Sequence, residues 1–451
     1  MAITINQQPT SPGMANSNLV WTVSSNAITS PQFQFVCDIY QSGSATRLQR
    51  LKQQPNPTGY GVFDLGNIIP TYLESDNVWT IAEFATSPNS NKDFIVKFGE
   101  EYGTSPSSSI TIYTGIGTGT VGDPNKTGSA FYTITNGLVE PNSGDWNFAS
   151  SSYYTPESAS AAETFNHQFN LSSAPVTQSI QDGEYATIAL YNGNVDNDTV
   201  DAQDVAYVVI NVYNAAGSNI QNFQIENTTA NGGGPRDDIA DSWSAVAADQ
   251  TGETRLIHIG VGPQNIADNG VPLNANWAYY IVRPVAQGDD SLENNNGVWA
   301  SIRFDKDTAN CGYPGVRFAW KNEFGVWDYF TFKLAESTTS LIGRREYEQT
   351  FVNYSTTTAG VPYNQERRGK SQFYNQINKI RTVESDWLTQ EYADSLRELF
   401  FSTNVYVQDG TMFYPVVFTQ TSITEKTNPR TQKLFRYTAE YQYANDQRPR
   451  L

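Results

Sequence analysis

Histidine, cysteine and basic residues are scarce in this sequence. Its 451 residues include two histidines, two cysteines and 28 lysines and arginines, against 46 aspartates and glutamates. The formal net charge of -18 argues against sequence-independent binding to nucleic acid or to an anionic membrane, because both need a basic surface. Two cysteines exclude a disulfide scaffold and a cysteine-only zinc site, so we expect Cys37 and Cys311 to be buried thiols.

Long hydrophobic runs are also absent. No stretch of about 18 apolar residues occurs, so the sequence predicts no membrane insertion. The first residues, MAITINQQPTSPG, have neither a basic start nor an apolar stretch, so we expect no secretory signal and synthesis in a cytoplasm. Charged residues are only 16% of the chain, whereas aromatic residues reach 13%. Disordered chains are poor in aromatic residues, so the composition indicates a folded, turn-rich β-protein.

The common catalytic motifs are missing as well. The sequence has no GxSxG elbow, HExxH pair, phosphate-binding GxxxxGK[ST] loop or dinucleotide-binding glycine motif. His258 alternates with apolar residues in Leu256-Ile257-His258-Ile259, which is typical of a strand residue and not of a catalytic base. We therefore expect no enzymatic activity and no cofactor. A glycosidase needs only two carboxylates about 5–10 Å apart, so that class stays open as an alternative.

The densest acidic cluster is the segment VDNDTVDAQD. Its carboxylates could gather around Ca²⁺, which prefers several oxygen ligands. The segment lacks the central glycine and the terminal glutamate of an EF-hand loop, so a solvated loop is the preferred interpretation. The weak calcium candidates are Asp196, Asp198, Asp201 and Asp204.

Short alternating runs separated by turns dominate the first three quarters of the chain, whereas the last quarter adds one helix. Thr389 is the expected N-cap of that helix. The apolar residues Tyr392, Leu396, Leu399 and Phe400 follow it at helical spacing. The fold class is therefore mostly β, with an N-terminal sandwich of the immunoglobulin or fibronectin type, a larger central β-sandwich region, and one helix lying on a C-terminal sheet. The predicted parts are an extended arm at 1–17, a β-sandwich at 18–115, a larger β-rich domain at 116–334 and an α+β domain at 335–451.

Charge is unevenly divided between these parts. Residues 336–451 carry 14 basic and 13 acidic residues, a net of +1, which leaves -19 for the remainder. A basic surface here could dock on an acidic neighbour, including another copy's acidic body, although a solvated face is equally consistent with the pattern. The interface candidates on this surface are Arg344, Arg345, Arg367, Arg368 and Lys370.

The N-terminal segment supplies a second interface candidate. Ile3 and Ile5 alternate with polar residues, as in a short strand, and a free strand can pair with the sheet edge of a neighbouring subunit. In the alternative interpretation the strand caps the first sandwich of its own chain.

Two stretches resemble virion structural proteins of tailed bacteriophages, especially phages of marine and Bacteroidetes hosts. The first is MAITINQQPTSP together with FQFVCDIY and RLQRLKQQPNPTGYGVFDLGNIIPTYL. The second is GVRFAWKNEFGVWDYFTF at 315–332, which predicts two strands, 315–321 and 326–334, joined by a turn at 322–325. In this hairpin we expect Trp320 or Trp327 to be buried, together with Phe330 or Phe332.

The resemblance implies a non-enzymatic virion component of the tail, collar or baseplate. Its partners would be other copies of itself and other virion proteins, with no nucleic acid. Exposed Tyr, Trp and Asn also suit sugar binding, so a glycan-binding host-adsorption protein is one alternative. A polysaccharide-degrading tailspike is the other.

Overall fold

The computed structural model shows a protein built almost entirely of β-strands. The described residues are 3–9, 13–41, 44, 46–103, 110–112, 131–135, 170–191, 205–227, 256–286, 300–308, 315–334, 336–348, 369–420, 422 and 435–445.

The first seventeen strands form four sheets. They are β1 (Ile3–Gln7), β2 (Gly13–Met14), β3 (Val20–Ser25), β4 (Gln34–Gln41), β5 (Arg47–Gln53), β6 (Tyr60–Asp64), β7 (Phe84–Thr86), β8 (Asn91–Glu101), β9 (Ile110–Ile112), β10 (Phe131–Thr135), β11 (Thr177–Ile180), β12 (Thr187–Tyr191), β13 (Val205–Tyr213), β14 (Asn219–Glu226), β15 (Leu256–Gly260), β16 (Tyr279–Ala286) and β17 (Ile302–Lys306).

The last seven strands form one sheet in the order β19-β18-β22-β23-β24-β21-β20. They are β18 (Val316–Lys321), β19 (Trp327–Phe332), β20 (Glu336–Glu348), β21 (Lys370–Glu384), β22 (Val405–Asp409), β23 (Met412–Phe418) and β24 (Thr438–Tyr443). The described helices are a 3-10 turn at Ile69–Tyr72, α1 (Pro263–Asp268) and α2 (Gln390–Phe401).

An N-terminal β-sandwich is present, as predicted. Its sheets have the orders β1-β3-β6 and β2-β10-β8-β4-β5, with β9 paired to β8. Alternate residues of each strand point into one shared core, which is why Trp21 and Val23 of β3 are buried together with Phe94, Val96 and Phe98 of β8. Cys37 lies in this core, and burial raises the pKa of its thiol.

A second sandwich follows, also as predicted. Its sheets have the orders β11-β17-β16-β13-β14 and β12-β15-β7. The shared core contains Val208 and Ile210 of β13 opposite Ile188 of β12 and Ile257 of β15. Strand β7 comes from the N-terminal part of the chain and pairs with β15 through Ile257↔Thr86 and Ile259↔Phe84. The second sandwich is therefore completed by a strand that ends 91 positions before the first residue of β11.

The hairpin predicted at 315–334 is confirmed. Its turn closes through a 2.8 Å hydrogen bond from the Asn322 N–H to the Val326 carbonyl. Gly325 in this turn has a φ of 82°, which residues other than glycine rarely adopt. Trp320 and Trp327 are both buried, as is Phe332. The C-terminal α+β prediction also holds, because the ring of Phe330 on β19 lies 6.1 Å from that of Tyr392 on α2.

The chain divides into two compact units whose bounds differ from the predicted domains. The first comprises Met1–Thr308, Trp320–Tyr329 and Asp394–Thr403, and the second comprises Ala309–Ala319, Phe330–Ala393 and Asn404–Leu451. Both sandwiches belong to the first unit, because pairings such as β7 with β15 cross the predicted boundary at 115/116.

The prediction of an extended arm at 1–17 is corrected. Strand β1 pairs antiparallel with β3 of its own chain, through Ile3↔Ser25 and Ile5↔Val23. Ile3 and Ile5 are half-buried and pack against the first core. The strand therefore follows the alternative in which it caps its own sandwich, because its two isoleucines gain apolar burial there.

Candidate interaction surface and polar site

Strands β20 and β21 form a long antiparallel ribbon in the second unit. They pair from Glu336↔Val383 to Glu348↔Lys370, whereas β24 pairs with β21 only from Arg381 to Glu384. Residues 370–380 therefore have β20 as their only strand partner in the described part of the chain. At about 3.3 Å per residue, this two-stranded part is about 33 Å long.

Large apolar side chains of the ribbon are exposed to solvent. Every residue from 337 to 348 is exposed, and Phe373 reaches 63% exposure. An isolated two-stranded ribbon is only marginally stable in water, and exposed apolar clusters commonly mark interaction surfaces. The exposed large apolar residues are Leu341, Ile342, Tyr347, Phe373 and Tyr374.

A β-bulge sets the position of the most exposed aromatic residue. Arg345 pairs with Tyr374, whereas the next residue, Glu346, pairs with Gln372, so Phe373 is the extra residue in its strand. Its ring lies 6.0 Å from the ring of Tyr347 across the ribbon. The two rings together form an exposed aromatic cluster.

The ribbon is the basic part of an acidic chain. The paired residues 337–348 and 370–380 contain four lysines and arginines and two glutamates, a net of +2, so the remaining residues carry -20. Arg344, Arg345, Lys370 and Lys379 are exposed, and none of them forms an ion pair within the described residues. At the base, Arg381 is paired with Glu336 at 2.8 Å. The outer cations are thus available to carboxylates of another molecule.

The structure brings three of the five predicted basic interface residues onto one ribbon. Arg344 and Arg345 lie on β20 and Lys370 lies on β21, whereas Arg367 and Arg368 fall outside the described residues. The calcium candidates Asp196, Asp198, Asp201 and Asp204 also fall outside them. Sequence reasoning missed β20, although its run of Thr, Leu and Ile before Tyr347 is β-prone.

A buried polar network within the first unit joins the hairpin turn to the loop at Ser172. The Ser172 hydroxyl donates to Asp328 Oδ1 at 2.6 Å, and Asn322 Nδ2 donates to Asp328 Oδ2 at 3.0 Å. Burial raises the pKa of Asp328 to about 7, the charge of Glu398 adds to that rise, and the two hydrogen bonds oppose it. Asp328 is therefore protonated at higher pH than an exposed aspartate.

The neighbouring serine binds a second carboxylate. The Ser173 hydroxyl donates to Glu398 Oε1 at 2.5 Å, and the Glu323 N–H donates to Glu398 Oε2 at 3.1 Å. Consecutive hydroxyls thus hold one carboxylate from β19 and one from α2. Beside Glu398 lies a cavity of about 420 Å³ that Lys321 also lines.

His258, which the sequence analysis weighed as a catalytic base, is not part of this network. It is buried on β15, as predicted for a strand residue, and burial lowers its pKa to about 4. Its Nδ1 has no hydrogen-bond partner among the described residues. Within those same residues, no group of three His, Cys, Asp or Glu side chains is placed to hold a metal ion. No helix of the described part is long and apolar enough to cross a membrane.

Comparison with known proteins leaves the family open. The sequence matches no protein-family model, and no curated protein shows significant similarity to it.

Proposed function

We propose that this chain is a non-enzymatic structural subunit of a tailed-bacteriophage virion, in the tail, collar or baseplate, and that it assembles through the β20–β21 ribbon. The observation that carries the proposal is the ribbon itself, which exposes aromatic and aliphatic side chains over about 33 Å. The resemblance of the two sequence stretches to virion proteins supports the particle assignment.

The partner proposed for the ribbon is a second copy of this chain. The ribbon residues 337–348 and 370–380 carry +2, whereas the rest of each chain carries -20. Contact between copies therefore brings opposite charges together, which orients the partners and speeds their encounter. Because the four outer cations have no ion pair within the described residues, docking breaks no such pair.

The aromatic pair supplies the apolar anchor of this contact. Buried aromatic residues near the centre of an interface commonly contribute most of the binding energy. Phe373 and Tyr347 are exposed and adjacent, so a partner surface can cover both. Affinity would then come from the rings, and salt sensitivity from the surrounding cations.

Sedimentation of the purified full chain at low and high salt tests the contact. We expect self-association at low salt that weakens as salt rises. Phe373→Ser and the double variant Arg344→Glu, Arg345→Glu should each reduce it strongly. The matched control is Trp387→Ser, which removes an aromatic residue of 58% exposure outside the ribbon. Association that all variants retain equally would overturn the ribbon's role.

Particle location needs a separate measurement. Antibody labelling of phage particles, viewed by electron microscopy, should place the chain at the tail, collar or baseplate. Absence from purified particles would overturn the virion assignment, even if the ribbon mediates self-association.

A further inference from the structure

The cavity beside Glu398 has the size of a small-molecule site. Its volume is about 420 Å³, within the range of about 300–1,000 Å³ typical of ligand pockets. All of its lining residues belong to the first unit. They are Asn16, Ser173, Lys321, Asn322, Glu323, Asp394, Ser395, Arg397, Glu398, Phe401, Ser402 and Thr403.

The lining combines hydroxyl and amide groups with charges of both signs. Some of this hydrogen-bonding capacity is already used within the protein, because Glu398 accepts hydrogen bonds from the Ser173 hydroxyl and from the Glu323 N–H. Donors and acceptors together suit a ligand with several hydroxyl groups, each of which both donates and accepts. Phe401 adds an apolar ring that is 56% exposed.

Lys321 offers one position in the cavity that favours negative charge, whereas the lining as a whole has two cations, Lys321 and Arg397, and three carboxylates. It is half-buried at the end of β18, and its ammonium forms no hydrogen bond or ion pair within the described residues. The lining carboxylates of Glu323, Asp394 and Glu398 thus leave it unpaired. A desolvated cation without a partner is costly, and a bound carboxylate removes that cost.

From this geometry we infer that the cavity binds a small polyhydroxylated ligand with one carboxylate, such as a uronic acid residue of a glycan. Lys321 pairs with the carboxylate, Phe401 packs against the apolar face of the ring, and the surrounding hydroxyl and amide groups bind the ligand hydroxyls. This site is separate from the ribbon and does not depend on the ribbon's role in assembly.

Calorimetric titration of the full chain with D-glucuronic acid and D-glucose tests the inference, because the two sugars share a ring and differ in the carboxylate. We expect glucuronic acid to bind about tenfold more tightly. The preference should fall as pH rises from about 7 to about 9, since burial lowers the pKa of Lys321 to about 8. Equal binding of both sugars, or binding of neither at millimolar concentration, would overturn the inference.

Two variants separate the roles of charge and ring. Lys321→Met should abolish the preference for glucuronic acid while the protein stays folded, because methionine replaces a desolvated charge with an apolar chain of similar length. Lys97→Met, on β8 and outside the cavity, is the matched control and should keep the preference. Phe401→Ser, at an exposed position, should weaken the binding of both sugars by the same factor. Unchanged preference in Lys321→Met, or unchanged affinity in Phe401→Ser, contradicts the assigned contacts.

Discussion

Ser172 and Asp328 are joined by a 2.6 Å hydrogen bond between residues 156 positions apart in the sequence. The bond ties a loop that precedes the second sandwich to strand β19 of the hairpin. The Ser172 oxygen also accepts the Ala174 N–H at 3.0 Å, so the hydroxyl is held in one orientation. The buried carboxyl of Asp328 is thus positioned by the fold and not by its own strand.

Asp328→Asn should change how stability depends on pH. The folded pKa of about 7 lies above the ordinary 3.8, so Asp328 favours folding at low pH and loses that contribution as pH rises from about 4 to 7. The variant should therefore gain stability relative to the native chain over this range, by up to about 4 kcal/mol. Urea unfolding at several pH values measures the difference. Asp305→Asn, at a half-exposed ion pair, is the control and should show less than about 1 kcal/mol.

His258→Gln should act in the opposite direction. Burial holds the pKa of His258 at about 4, below the ordinary 6.5, so the unfolded chain binds its proton first and the native chain loses stability as pH falls from about 6.5 to 4. Because glutamine takes up no proton, the variant should lose about 3 kcal/mol less of its free energy of unfolding over this pH range. If the free energy of unfolding had the same pH dependence in the variant and in the native chain, His258 would not be a buried neutral histidine.

Trp327→Ala should destabilise the first unit by about 3–5 kcal/mol. The indole N–H of Trp327 donates to the Asp76 carbonyl at 2.7 Å, and its ring packs edge-on against Trp79 at 4.9 Å. Trp387→Ala, at an exposed position, should cost less than about 1 kcal/mol. A loss below about 1 kcal/mol at Trp327 would show that the hairpin is a surface feature.

Ile5→Asn should lower the melting temperature by several degrees, because Ile5 packs against the first core and its strand pairs with β3. Thr4→Asn, at an exposed position of the same strand, should have little effect. Differential scanning calorimetry of the two variants distinguishes a strand that stabilises its own sandwich from one that serves only a neighbouring subunit. Equal melting temperatures would favour the neighbouring subunit.

Local sequence patterns predicted the elements in which apolar residues mark the side chains that are buried. The β-prone apolar runs of β4 and β8 predicted strands, and most residues on both faces of these two strands are buried. The hairpin at 315–334 was readable from its aromatic residues and turn. Strand β20 was missed because nearly all of its residues are exposed, so no inward-facing apolar set marked it.

The sequence by itself determined the β-rich class, the C-terminal helix and the uneven charge, because composition and periodicity depend only on neighbouring residues. Tertiary structure alone decided which strands share a sheet and which side chains meet. It paired β1 with β3 and β7 with β15, and it set Ser172 and Ser173 against the carboxylates of Asp328 and Glu398. The physical reason is that long-range pairing depends on burying complementary faces together, and a linear pattern records that a face is apolar without recording what covers it.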